Sequence, residues 1–152
     1  MKVYKFGGAS VKNAEGVRNL HNIVSGEKDL FIIVSAMGKT TNALEGVFAA
    51  MQQGNEKLAM ERIDESYAYH RGIIDDLMGA DVTIEQVDLL FKQLRNTVRN
   101  TIYRPSDAEL WYDTIVAFGE LVSTTIISNY LNGHGVANRW VDMRRGFLTE
   151  QR

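Results

Sequence analysis

The sequence predicts an α/β fold with a parallel sheet, and three observations carry that prediction. The first 35 residues read strand–helix–strand, the pattern of a βαβ unit. Leu30-Phe31-Ile32-Ile33-Val34 is an unbroken apolar run rich in β-branched residues. Such a run reads as a strand buried on both faces, as parallel strands usually are. The middle of the chain carries apolar residues at helical spacing.

Lys2–Phe6 is the first strand, closed by Gly7-Gly8. Asn13 can cap a helix with Glu15 in its favourable first turn, and Val17, Leu20, Ile23 and Val24 follow at helical spacing. Val3–Phe6 and Leu30–Val34 are both expected to be central in the sheet. After Ser35, a turn-like segment (36–41) leads into a helix from about Asn42 to Gln53, with Thr41 or Asn42 as cap and Gly54 as stop. A long helix then carries Ala59, Ile63, Tyr67, His70, Ile74 and Leu77 on one face and ends at Gly79; His70 reads as a boundary-layer residue. Thr83 caps the next helix, which presents Val87, Leu90, Phe91, Leu94 and Val98. The only proline, Pro105, breaks the chain before a final helix from about Ala108 to Leu131, and Val136–Met143 can be a third strand. Three strands are thin for this many helices, an imbalance that points to a fold only partly contained in the chain.

Composition excludes several classes of function. The 152 residues carry 17 basic and 19 acidic side chains, a net charge of −2, with no long basic run, so nothing points to nucleic acid. No cysteine is present, which excludes disulfides, thiolate catalysis and zinc–sulfur sites. No apolar stretch approaches the roughly 18 residues that span a bilayer. Val3-Tyr4-Lys5-Phe6 opens directly as a strand without a signal-peptide pattern, so a cytoplasmic protein is expected. His21, His70 and His134 have no metal-like spacing. Trp111 and Trp140 read as packing groups.

Three segments could carry chemistry. Lys5-Phe6-Gly7-Gly8-Ala9-Ser10 lies between a strand and a helix. Glycines there can take positive φ and let the backbone approach a ligand. A helix N-terminus beside them favours phosphate, and Lys5 could neutralise a transferring phosphoryl group. A tight strand-to-helix turn with a surface lysine would look the same. G-x-G-x-x-G is absent, and Gly38-Lys39-Thr40 imitates a Walker loop whose leading glycine would fall at Ile33, inside a strand. Ser35-Ala36-Met37-Gly38-Lys39-Thr40-Thr41-Asn42 follows the buried strand, at the end where α/β sheets bind ligands. In the last helix, apolar nearly all round, Glu120 would be a buried carboxylate needing a partner. Gly119 beside it costs helix stability, about 1 kcal/mol against alanine. Close approach of a ligand would explain both residues. An ion pair with an arginine such as Arg139, or simple access to solvent, would explain Glu120 alone.

Together these segments resemble the signatures of aspartate kinases. Lys5-Phe6-Gly7-Gly8-Ala9-Ser10 is similar to the family's opening Lys-Phe-Gly-Gly-Thr-Ser, departing only at Ala9. The resemblance implies that Lys5, Phe6, Gly7, Gly8 and Ser10 line the ATP phosphates, with Lys5 catalytic. Ser35 to Asn42 resembles the second signature, which implies that Ser35 and Thr41 contact aspartate. Phe118-Gly119-Glu120-Leu121-Val122-Ser123 resembles the third, which implies that Glu120 binds the α-ammonium of the substrate. The implied fold is the three-layer α/β/α amino-acid kinase fold. Residues 1–152 would be its N-terminal, helix-rich, substrate-binding part, without the C-terminal ATP-binding part and the ACT regulatory domains. The implied reaction moves the ATP γ-phosphoryl to the β-carboxylate of L-aspartate, giving 4-phospho-L-aspartate, which leads toward lysine, threonine and methionine. Mg²⁺ would be held mainly by the nucleotide. A homo-oligomer is expected, without nucleic acid or membrane, and these 152 residues alone are expected to be inactive. The rival readings are another amino-acid kinase, such as one acting on glutamate, and a non-catalytic ligand-binding or assembly fragment.

Overall fold

The computed structural model describes residues 1–142. Strand β1 (Lys2–Phe6) is followed by helix α1 (Ala14–Val24) and strand β2 (Leu30–Val34). The strands pair in parallel from Lys2 opposite Leu30 to Phe6 opposite Val34, so the βαβ unit forms as expected. Helices α2 (Thr40–Gln52), α3 (Glu56–Met78) and α4 (Glu85–Asn100) follow. A 3-10 turn at Pro105–Asp107 then leads into α5 (Ala108–Gly133).

Side chains alternate across a strand, so the sheet has two distinct faces. Tyr4, Phe6, Leu30, Ile32 and Val34 belong to the core that the helices share. Val3, Lys5, Phe31 and Ile33 point the other way, and Val3 is 52% exposed. The described residues therefore supply the sheet and one helical layer. Among them the sheet has two strands, so neither is central, and β2 is half-buried rather than covered on both faces. The third strand expected at 136–143 is not formed over 136–142, and Met143 lies outside the described residues. The polar groups of that segment are spent elsewhere. Asn138 bonds Asn132 and the Ser128 carbonyl, and the Trp140 indole N–H donates to Thr124 Oγ1 at 2.8 Å, which ties the segment to α5.

Helix starts follow side-chain chemistry in some places and not in others. Asn13 Oδ1 accepts from the Gly16 amide at 2.9 Å and caps α1 as expected. Helix α2 begins at Thr40, earlier than expected, and neither Thr41 nor Asn42 caps it. Gly38, at φ +55°, turns the chain sharply, and Thr40 Oγ1 donates back to the Met37 carbonyl at 2.6 Å. Thr83 does not cap α4; Ile84 occupies that place without a side-chain bond.

Helix α5 is the spine of the core, packed against α2, α3, α4 and β2. Pro105–Gly133 is long and apolar enough to cross a membrane by length and composition, contrary to expectation, but 61% of its most apolar window is buried against these elements. His70 is fully buried, not a boundary residue. Its Nδ1 donates to the Ser66 carbonyl at 2.7 Å, and burial holds its imidazole below the ordinary histidine pKa.

Candidate functional site

The three motifs meet at Ala36. After β1 the chain turns through Gly7 and Gly8, with the Ser10 amide bonded to the Gly7 carbonyl and the Val11 amide to that of Gly8. The Gly38 amide donates to the Gly8 carbonyl at 2.9 Å, which locks the first loop to the second. Neither Gly7 nor Gly8 has positive φ, so their conformational freedom is not what this turn requires. What matters is space. A methyl group on Gly8 would sit 2.8 Å from the carbonyl oxygens of both Ala36 and Gly38. A methyl group on Gly7 would meet nothing within 4 Å. Gly8 is thus a packing glycine, and Gly7 borders open space.

The third motif approaches from α5. A methyl group on Gly119 would lie 2.9 Å from Ala36 Cβ and 3.3 Å from Thr40 Cγ2. The missing side chain lets the helix backbone lie against the second loop, which accounts for a glycine that otherwise weakens the helix. One turn on, Ser123 Oγ donates to the Ser35 carbonyl at 2.8 Å. The Ser35 amide donates to the Phe6 carbonyl at 3.0 Å. The Ser35 backbone is therefore held from both sides, while its hydroxyl stays exposed.

Glu120 is exposed, not buried. It follows Gly119, which faces Ala36, and so turns out of the packed face of α5. It lines a groove of about 140 Å³ with Ile33, Val34, Leu121, Thr124 and Trp140. Lys5 sits opposite Ile33 in the sheet register, on the open face, and is exposed. Thr41 lies in the first turn of α2, exposed beside the buried Thr40. Among the described residues, the side chains of Lys5, Ser35, Thr41 and Glu120 make no hydrogen bond or ion pair. The structure thus joins the glycine loop, Ser35 and the Gly119–Ser123 turn by direct contact. Lys5 and Thr41 border the same end of the sheet without touching the others. Phe6 packs its ring on the core, so it can offer the loop only its backbone, while Ser10 is exposed.

The far side of the loops is also braced. Gly16 lets α1 lie against the turn, since a methyl group there would fall 2.2 Å from the Ser10 carbonyl oxygen. The Tyr69 hydroxyl, at the edge of Gly38, donates to the Lys12 carbonyl, and burial pushes its phenol up. Sequence reasoning gave no role to Ser123 and Thr40, although both lie within the motifs, and read Trp140 as a packing group. Ser123 was detectable: a small polar residue on an apolar helix needs a partner. Nothing in the sequence marked Trp140 as lining the groove of Glu120.

The model of the amino acid kinase family matches residues 1–151. The chain belongs to the amino acid kinase family. Relatives within this family include aspartokinases 1 and 2, both chloroplastic, from Arabidopsis thaliana. They are 30% and 31% identical over 97% of this chain, and the matched region is 26% and 27% of their own length. Lysine-sensitive aspartokinase 3 of Escherichia coli (strain K12) is 25% identical over 99% of the chain and 32% of its own. Two solved structures of E. coli aspartokinase III share the fold. One, in complex with aspartate and ADP, gives a TM-score of 0.76 at 24% identity over 95% of this chain and 31% of its own. The other, in complex with lysine and aspartate, gives 0.78 at 23% identity over 95% and 32%. The chain spans about a third or less of the length of these relatives. The resemblance read from the three motifs is borne out, as is the α/β amino-acid kinase fold. A phosphotransferase family follows from both.

Proposed function

We propose that this chain supplies the phosphate loop and amino-acid pocket of an aspartate kinase. The observation that carries this reading is the junction at Ala36. It gathers a strand-to-helix glycine loop, a strand-end loop bearing Ser35 and the helix turn bearing Glu120. Each polar group offered there has its side chain unspent. E. coli aspartokinase III in complex with aspartate and ADP, a structural neighbour, fits the same reading.

The open space at Gly7, beside exposed Lys5, fits the approach of a nucleotide phosphate. When bound, ATP with Mg²⁺ supplies the γ-phosphoryl group, and Lys5, Gly7, Gly8, Ser10 and the Phe6 backbone would border its phosphates. Lys5 would neutralise charge that builds on the phosphoryl oxygens as the bond to the leaving ADP breaks. Glu120 would pair with the α-ammonium of aspartate, a contact that rejects acids lacking the amino group. The Ser35 and Thr41 hydroxyls would donate to the substrate carboxylates and hold the β-carboxylate oxygen in line with phosphorus. The product would be 4-phospho-L-aspartate, formed in the cytoplasm on the path to lysine, threonine and methionine.

The test uses the full natural polypeptide that carries this sequence. ADP release is measured with L-aspartate, L-glutamate or succinate as acceptor. Turnover restricted to L-aspartate supports the reading. Equal turnover with glutamate, or none with aspartate, contradicts it.

A further inference from the structure

Ser123 is fully buried on α5, and its Oγ donates to the Ser35 carbonyl at 2.8 Å across 88 residues of sequence. It lies three residues after Glu120, about one turn along the same helix, on the packed side of α5 where Glu120 is on the exposed side. Ser35 directly follows Ile33 and Val34, which line the groove of Glu120. The other anchor of Ser35 is its amide bond to Phe6, the last residue of β1. This one hydroxyl therefore ties the strand-end loop to the helix that carries the groove's carboxylate. No other side chain among the described residues bonds the Ser35 backbone. Gly119, one turn before Ser123, brings the same helix against Ala36, so the hydroxyl acts where the two backbones already touch.

We propose that Ser123 is a positioning residue for amino-acid binding: it fixes Ser35 at a set distance from Glu120 without itself touching substrate. The proposal rests on the aspartate kinase reading for its kinetic consequence, but not for the anchoring itself. Removing the hydroxyl takes away the side-chain partner of a part-buried carbonyl and frees the loop to shift. A shift of Ser35 relative to Glu120 weakens a substrate held by both, while the phosphate loop keeps its own bonds from the Ser10 amide to the Gly7 carbonyl and from the Val11 amide to that of Gly8.

The experiment compares Ser123→Ala, Ser123→Cys and Thr125→Val in the full polypeptide. Thr125 is a second buried hydroxyl on α5, bonded within the helix to the Leu121 carbonyl at 2.7 Å, and serves as the control. Ser123→Ala is expected to raise the aspartate KM about tenfold, with kcat and the ATP KM changed less than about twofold. Ser123→Cys, which keeps a weak donor, falls between. Amide exchange at Ser35 and Ala36 quickens in Ser123→Ala, and Thr125→Val changes neither readout. An unchanged aspartate KM in an active Ser123→Ala enzyme overturns the proposal, as does unchanged exchange at Ser35 and Ala36. Wild-type polypeptide without aspartate-dependent turnover would contradict the functional reading alone, because the exchange measurement still decides the anchoring.

Discussion

Two sets of polar side chains divide the molecule. In the interior, Thr40, His70, Ser123 and Thr125 are buried, and each is bonded to a backbone carbonyl. At the carboxyl end of the strands, Lys5, Ser35, Thr41 and Glu120 are exposed, and among the described residues their side chains have no partner. The first set is consumed by folding, since a buried polar group must be satisfied. The second contributes little to the fold and sits where α/β sheets bind ligands. Substitutions in the two sets should therefore separate, one acting on stability and the other on turnover.

The largest expected effect is catalytic. In the full polypeptide, Lys5→Ala should lower kcat by about 10²–10³, with the melting temperature within about 1 °C of wild type, because the side chain is exposed and unpaired. Steady-state kinetics and a thermal scan on the same sample check both halves. A large loss of stability would move Lys5 into the structural set.

The two loop glycines divide the same way. Gly8→Ala forces a methyl group against two backbone carbonyls, and overpacking of this kind costs about 1–3 kcal/mol. Gly7→Ala enters open space, so denaturant titration should show wild-type stability while the ATP KM rises. Equal stability losses for both would contradict the assignment of Gly7 to ligand space.

The smallest effect is a pH dependence. Burial holds His70 below its ordinary pKa of 6.5, so the folded state favours the neutral ring. Its contribution to stability is full above that ordinary value, where both states are neutral. It is lost as pH falls below 6.5 toward the lower folded pKa, because the unfolded chain takes up the proton first. The melting temperature of the wild type should fall between pH 7.5 and pH 5 more steeply than that of His70→Gln. Parallel slopes would remove His70 from the account.

Much of the fold was legible because local rules decided it. The βαβ unit followed from Leu30–Val34 and its flanking turns, and the cap of α1 followed from Asn13. The start of α2 was misplaced because Gly38 and the Thr40 back-bond outrank ordinary capping by Thr41 or Asn42. The third strand was misplaced because Asn138 and Trp140 bond α5 instead. The exposure of Glu120 was not legible. An apolar helix sequence does not show which of its positions face a groove rather than a neighbouring helix. Gly8 and Gly119 read in the sequence as places where a ligand approaches; that both instead make room for Ala36 could be seen only in three dimensions.

Glu120 is proposed to hold the substrate's ammonium group. Aspartate saturation of the Glu120→Ala polypeptide, measured at fixed saturating ATP, tests it most directly. The expected result is an aspartate KM raised at least about tenfold with kcat less affected, the pattern of lost ground-state binding. Saturation indistinguishable from wild type would contradict it.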